Sequence, residues 1–523
     1  MKISKKLFLS LISIEMITMP HISYALDAAD LEALKAEIRE LKEQMKQLKS
    51  TSKSNPNPEE TIPVDNKSLP IVKAQDGFGL KSADGKNEIN LTGRIQADYH
   101  YFGKNDSQNA DTPNLRRTYL TVQGKIYNDY DFKVSADFAQ QSNLNSPAGV
   151  SSSTRSALDE AYFGINWWKQ AKFRIGLFNM PFGLENYTSD LFNDFSERSL
   201  TEALTSSKER GAMVHGNPLN GLYYGLTLSA GRGKNVDNTD PNADSLEIIG
   251  RGTANLAQLF NKKNVVVHLG GGFSHGYISG NSPSNFQNAS ANTTDGFLVG
   301  QGHANSKTEG NGLTFFSPTP LYLAAGSEVE RTRMGAEFAA AYGPFKLQSE
   351  YITHNYQGIG GIPETLNGVT TINRTTPFDS NIDAWYTSLN WLVTGESYSD
   401  NYTSEGTWGR LKPKQNFTIN GAGWGALVLG ARYSNYDASD FSKGKVGGVN
   451  SLTGAYSAYN MPTGAHAYTL AATWILNPYT RLSVNYINTQ FENGVLAVRD
   501  NLGNTVGITD GERAVTLRGQ FDF

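Results

Sequence analysis

The 523-residue chain contains no cysteine. That excludes a disulfide framework and any thiolate metal site, so stability has to come from packing or from sheet closure. Long apolar runs are missing as well. Past the N-terminus no stretch of about 18 apolar residues occurs, and the thickness of a bilayer therefore excludes a bundle of membrane-spanning helices. A closed β-barrel escapes this test, because its strands show lipid only at every second residue. A strong charge of either sign is absent too. The formal net charge is −4, which excludes a polybasic nucleic-acid binder. A pore's selectivity would follow the field at its narrowest point rather than this sum.

Local catalytic signatures are also absent: there is no HExxH, no Walker A loop, no GxSxG and no GxGxxG behind a strand. The eight histidines have ordinary neighbours. No catalytic residue, metal or cofactor is expected, and the chain reads as a non-enzyme. A barrel hydrolase assembled from distant strands, such as a lipase or protease, and a trimeric surface or cell-wall tether are the alternatives.

What the chain does contain is a polar, aromatic and turn-rich composition, with 38% apolar residues, 11% aromatics and 52 glycines. Residues 1–25 read as a cleaved signal peptide. Lys2, Lys5 and Lys6 precede an apolar stretch from Leu7 to Ile14, and Ser23-Tyr24-Ala25 supplies the small-residue cleavage site. Residues 26–50 read as a coiled-coil helix. Leu31, Leu34, Ile38, Leu41, Met45 and Leu48 are spaced alternately three and four apart, and Asp30 with Lys35 and Glu37 with Lys42 suit neighbouring parallel helices. Self-association is expected; one amphipathic helix lying on its own barrel is the alternative. Residues 51–77 carry Pro56, Pro58, Pro63 and Pro70 among polar residues, as in a solvated linker.

From residue 78 to 523 the dominant signal is alternation with period two. Ile89, Leu91, Ile95, Ala97, Tyr99 and Tyr101 share one face, and Asn90, Thr92, Arg94, Gln96, Asp98 and His100 the other. The same split puts Lys133 and Arg174 on polar faces, opposite Phe132, Val134, Phe173 and Ile175. A soluble sandwich would alternate as well. Three features favour the membrane. Aromatics stand near strand ends at Tyr99, Tyr101, Trp167, Trp168, Tyr223 and Tyr224, as in an interfacial girdle. The last strand alternates and closes on Phe523, resembling the recognition signal of bacterial outer-membrane barrels. Short turns such as 127–129 contrast with long polar stretches such as 279–312, matching short periplasmic turns and longer outer loops. The fold class expected is all-β, a transmembrane antiparallel barrel with a short N-terminal coiled-coil helix, located in the bacterial outer membrane in contact with its lipid.

Beyond this, GRIQADY (93–99), LRRTYL (115–120), LDEAYF (158–163), FGLE (182–185), VVHLG (266–270), LVTGE (392–396), GARYS (430–434) and WILNPYTRLSVNYI (474–487) occur in an order that resembles the phosphate- and polyphosphate-selective porins O and P. The resemblance implies sixteen strands, a homotrimer and a diffusive channel with a basic constriction behind an inward-folded third loop. It assigns pore-lining roles to Arg94, Arg116, Arg117 and Arg198, and constriction positions to Asp159 and Ser189. It also implies a lysine directly after FGLE, where this chain has Asn186, and an arginine cluster after VVHLG, where residues 271–330 hold no Arg and only Lys307.

Arginine binds oxyanions bidentately and stays charged at any working pH. Alternation places Arg94 and Arg117 toward the lumen, whereas Arg116 needs a bend. The competing reading pairs these cations with carboxylates such as Asp98 or Asp137, as buried charges usually are. The expected function is passive diffusion of small anions as permeant solutes, with weak retention of phosphate.

Overall fold

The computed structural model describes residues 70–73, 77–103, 111–139, 158–231, 246–279, 306–310, 312–316, 322–323, 328–366, 369–441, 445–449, 456–499 and 505–523. The signal peptide, the coiled-coil helix and most of the linker lie outside the described residues. Ile71–Lys73, at the end of the stretch read as linker, pairs with Phe78–Lys81, and that strand pairs in turn with the first barrel strand.

Sixteen antiparallel strands form one closed barrel. The first are β1 (Glu88–Phe102), β2 (Thr112–Ile126), β3 (Tyr130–Asp137), β4 (Leu158–Trp168) and β5 (Ala171–Asn179). Then come β6 (Lys208–Gly216), β7 (Leu222–Ser229), β8 (Glu247–Asn255), β9 (Val265–Ser279) and β10 (Glu328–Tyr342). The last six are β11 (Phe345–Leu366), β12 (Val369–Leu392), β13 (Ala426–Asp437), β14 (Gly464–Asn477), β15 (Thr480–Glu492) and β16 (Gly511–Asp522). Each pairs with the next, and β16 returns to β1 with Asp522 opposite Arg94. Closure gives each of the sixteen barrel strands a partner on both sides.

Phe523 completes the seam. Its N–H donates to the Gly93 carbonyl at 3.0 Å, and the Gly93 N–H donates back at 3.1 Å. Its ring covers Gly93, where a Cβ would stand 2.5 Å from ring carbons, so a side chain there has no room.

The direction of the alternation separates barrel from sandwich. Along β1 the exposed residues are Ile89, Leu91, Ile95, Tyr99 and Tyr101, while Gln96, Asp98 and His100 are buried. Apolar side chains therefore point out of the closed sheet and polar ones point in, as lipid outside and water inside require. Trp167 and Trp168 stand exposed beside the β4–β5 turn, edge to face at 5.7 Å. Tyr223 does not belong to this girdle. It is buried inside the barrel, where its hydroxyl meets that of Tyr187 at 2.9 Å; its neighbour Tyr224 takes the outer side of the pleat.

At one end of the barrel the connections are tight. The β2–β3 turn puts Tyr127 and Asn128 at φ 53° and 61°, the left-handed values that match the twist of a hairpin. The connection 393–425 at this same end is long, which departs from the expectation of uniformly short turns. It folds inward, as does 180–207 from the other end. Ser306–Lys307 and Thr314–Phe316 form a small hairpin whose Phe315 and Phe316 pack inside the barrel. Together with Phe178, Met180, Phe182, Tyr356, Tyr436 and Phe491 they make an apolar core within the lumen. A second cluster gathers Leu184, Tyr398, Trp408 and Val428. The β10–β15 side of the lumen is thus packed, and the open space lies against β1–β6.

Candidate functional site: a charged cavity inside the barrel

Segment 180–207 crosses the lumen behind β5. Its first turn buries Met180, Phe182 and Leu184 and forms a short helix, α1 (Leu184–Tyr187); a 3₁₀ turn follows at Leu200–Leu204. Gly183, the N-cap of α1, stands at φ 76°, a left-handed conformation that an L side chain adopts only under strain.

Carboxylates on this segment tie it to the wall. Asp190 receives both Arg94 and Arg117, the latter through Nε at 2.6 Å, and the Arg94 guanidinium lies 3.9 Å over the Tyr119 ring. Glu197 accepts from Arg116 at 2.9 and 3.1 Å and from Arg518 at 2.5 Å, while Arg518 also forks onto Asp98 at 2.6 and 2.7 Å. Asp194 takes Lys346 at 2.5 Å and the Tyr398 hydroxyl at 3.3 Å. Glu185 accepts from Arg432 at 2.9 Å and from the Ser199 hydroxyl at 2.7 Å.

Burial opposes the charge on Asp190, but Arg117 and Arg94 outweigh it and hold its carboxyl well below the usual range. The same contest, won by Arg116 and Arg518, holds Glu197 well below its range. At Glu185 burial wins and pushes the carboxyl up, against Arg432 and Ser199.

A β-bulge accounts for Arg116. Gln96 pairs with Arg117 and Ala97 with Leu115, so Arg116 is the extra residue and both consecutive arginines reach carboxylates of the inner segment.

Between this segment and β1–β6 lies a cavity of about 1090 Å³. Arg94, Arg117, Lys133, Asp159, Arg174, Asn186, Ser189 and Arg198 line it; Arg116 stands behind the wall on Glu197. Most of these charges are matched. Lys133 pairs with Glu160, Asp159 with Lys208, and Arg198 with Glu202 at 2.9 Å. Arg410 pairs with Asp522, and Arg333 with Glu247 at 3.1 Å. Glu209 accepts from the Ser229 hydroxyl and the Gly231 N–H, both at 2.8 Å. Asn186 is spent on backbone, its amide donating to the Ser206 carbonyl at 2.6 Å. Ser189 accepts the Leu191 N–H at 3.4 Å.

The competing reading named carboxylates of the wall, Asp98 and Asp137, as partners of the arginines. The partners of Arg94, Arg116 and Arg117 are instead Asp190 and Glu197, on the inner segment. Lys208, Asp190, Glu197 and the inward course of 393–425 carry no signal that the sequence analysis used. Lys208 opens a strand whose KERG start obscures the alternation. The acids at 190, 194 and 197 sit in a stretch without period, and only their density beside FGLE hints at anchoring.

Segment 393–425 reaches the cavity from the tight-turn end. Trp408 is buried, donating Nε1–H to Gln348 at 2.7 Å, and Tyr402 bonds His268 Nδ1 at 2.7 Å. Arg251 of β8 holds the carbonyls of Glu405 and Gly406 at 2.9 and 2.8 Å.

A closed barrel, apolar outside, with a charged cavity inside and segments folded into its lumen, defines a diffusion channel of the bacterial outer membrane. Residues 89–523 match the family described as phosphate-selective porin O and P, and the chain belongs to that family. As such it is a channel and not an enzyme. Porin O of Pseudomonas aeruginosa is 25% identical over 468 residues, covering 87% of this chain and 93% of the relative. Among solved structures, the outer-membrane channel DcaP of Acinetobacter baumannii is similar at 11% identity, with coverage of 87% and 100% and a TM-score of 0.43. Salmonella typhi OmpF, solved with daunomycin, matches at 14% identity, 86% and 100% coverage and a TM-score of 0.42.

Proposed function

We propose that this porin passes small polar solutes by passive diffusion with a mild preference for anions, that it holds phosphate only weakly, and that it works as a homotrimer. The observation that supports the selectivity reading is the pairing of the cavity's charges. Arg94, Arg117, Lys133, Arg198 and Lys208 each face a carboxylate, which leaves a mixed field rather than a basic funnel. Arg174 stands apart: its guanidinium lies 4.3 Å over the Tyr162 ring and has no carboxylate partner among the described residues. Arg94 and Arg117 share the single carboxylate of Asp190, and that excess positive charge in a narrow lumen tilts the field toward anions, because low-dielectric walls amplify nearby charge.

Tight phosphate retention needs several free donors converging to replace the ion's water. Here the converging arginines are committed to Asp190 and Glu197, and the position after FGLE carries Asn186, whose amide is already used. Self-association rests on the heptad seam of residues 26–50 and its complementary charges, and the number three on membership of the family. The test is a planar bilayer: stepwise chloride-preferring conductance that phosphate blocks weakly supports the reading, and micromolar block by phosphate would overturn its second half.

A further inference from the structure

Among the described residues two charged side chains lining the cavity have neither an ion pair nor a side-chain hydrogen bond, one of each sign. The positive one is Arg174, projecting from β5. Its guanidinium is stacked on Tyr162, and its Nε is buried without a hydrogen-bond partner. The negative one is Glu405, at the tip of segment 393–425. Among the described residues its carboxylate makes no hydrogen bond and no ion pair, although it lines the cavity.

Glu405 is not loose. The Ser404 carbonyl accepts from the Asn217 amide at 2.6 Å, and Arg251 grips the next two carbonyls. Gly406 turns the chain at φ 67° so close to Thr253 that a Cβ would stand 2.4 Å from its hydroxyl. The tip is therefore fixed through its backbone and through the Thr403–Thr407 hydroxyl contact at 2.6 Å, and the one charged side chain it carries is left over. Arg174 is fixed likewise through its stacked face, which leaves the donating edge of its fork free. Arg174, Glu405 and Tyr187 line the same cavity, yet the two opposite charges do not close into an ion pair.

We propose that Arg174 and Glu405 are the two ends of a site for small zwitterions, taking the carboxylate of an amino-acid-like solute on the guanidinium and its ammonium on the carboxylate. A simple anion is drawn to Arg174 but repelled by Glu405, and a simple cation meets the reverse. Only a solute with both charges offsets both. The guanidinium fork suits a planar carboxylate, and an ammonium offers three rotatable donors to Glu405. The tyrosine rings beside them line the solute's path with flat apolar surface. This inference deepens the channel reading and rests on it.

Swelling of liposomes containing the purified full-length porin tests it. Glycine, β-alanine and 4-aminobutyrate, which span a range of charge separations, are compared with uncharged polyols of equal size, and potassium chloride conductance is recorded on the same preparation. At least one zwitterion should enter several-fold faster than its polyol. Arg174→Gln and Glu405→Gln should each abolish that advantage, and the exchange Arg174→Glu with Glu405→Arg should restore it. Circular dichroism of each variant checks that the barrel has formed. Conducting channels without a zwitterion advantage would overturn the proposal while leaving the channel reading intact. A faster zwitterion flux in Glu405→Gln would also overturn it, since Glu405 would then merely neutralise Arg174. Absence of chloride conductance would instead bring down the channel reading itself, and this proposal with it.

Discussion

Asp190 sits between Arg94 and Arg117, and what it does there decides how much of the wall's positive charge a solute feels. Removing it as Asp190→Asn should release two guanidinia into the cavity. Reversal potentials should then move toward chloride and phosphate block should strengthen; no movement would mean the arginines are shielded by other groups. The acid behaviour of this contact has a definite sign. Because the Asp190 and Glu197 carboxyls are held well below the ordinary range of roughly 4, their contribution to loop attachment is complete above that range and fades only as pH falls through the depressed values. Glu185 has the opposite shift, so taking up its proton on acidification favours the folded segment rather than opposing it. In the Glu185→Gln variant, which removes the raised group, single-channel conductance should therefore hold steady from pH 7 to about 5, and a step within that interval would contradict the assignment of Asp190 and Glu197. Asn186→Lys, at the position the family resemblance marks, should strengthen phosphate block, because it adds a flexible cation beside Arg198, whose guanidinium already bonds the Asn186 carbonyl.

The elements divide by how local their causes are. Strands β1, β2, β3, β5, β15 and β16 could be read from the chain because lipid on one side and water on the other impose period two along a strand. The bulge that turns Arg116 inward leaves no such trace beyond two adjacent arginines in LRRTYL. Tyr223 misled because alternation gives a residue's face only relative to its neighbours, and its pairing with Tyr187 is settled by a helix 36 positions away. The inward course of 393–425 was invisible for the same reason: it depends on Arg251, His268 and Gln348, which lie on three different strands. Trp408→Ala should test how firmly that segment is seated. Truncating a buried Trp costs about 3–5 kcal/mol, enough to undock the segment, so channel noise and mean conductance should both rise while the barrel's circular dichroism stays. An unchanged trace would show that Arg251 alone suffices.

For the whole molecule, the barrel supplies stability through closure and the lumen's packed side supplies narrowness, so among the described residues the open space lies along β1–β6. The proposed trimer belongs to this scale. Deleting residues 26–50 should lower the trimer fraction in cross-linking and in light scattering of the detergent-solubilised protein; an unaltered assembly would assign self-association to the barrel wall instead. The central claim, that the constriction's cations are largely neutralised by the segment crossing the lumen, is tested most directly by the zero-current potential of single channels in a tenfold potassium chloride gradient. The account predicts a potential of the sign for chloride preference but well short of the full Nernst value. A potential near that value, or one of the cation-selective sign, would contradict it.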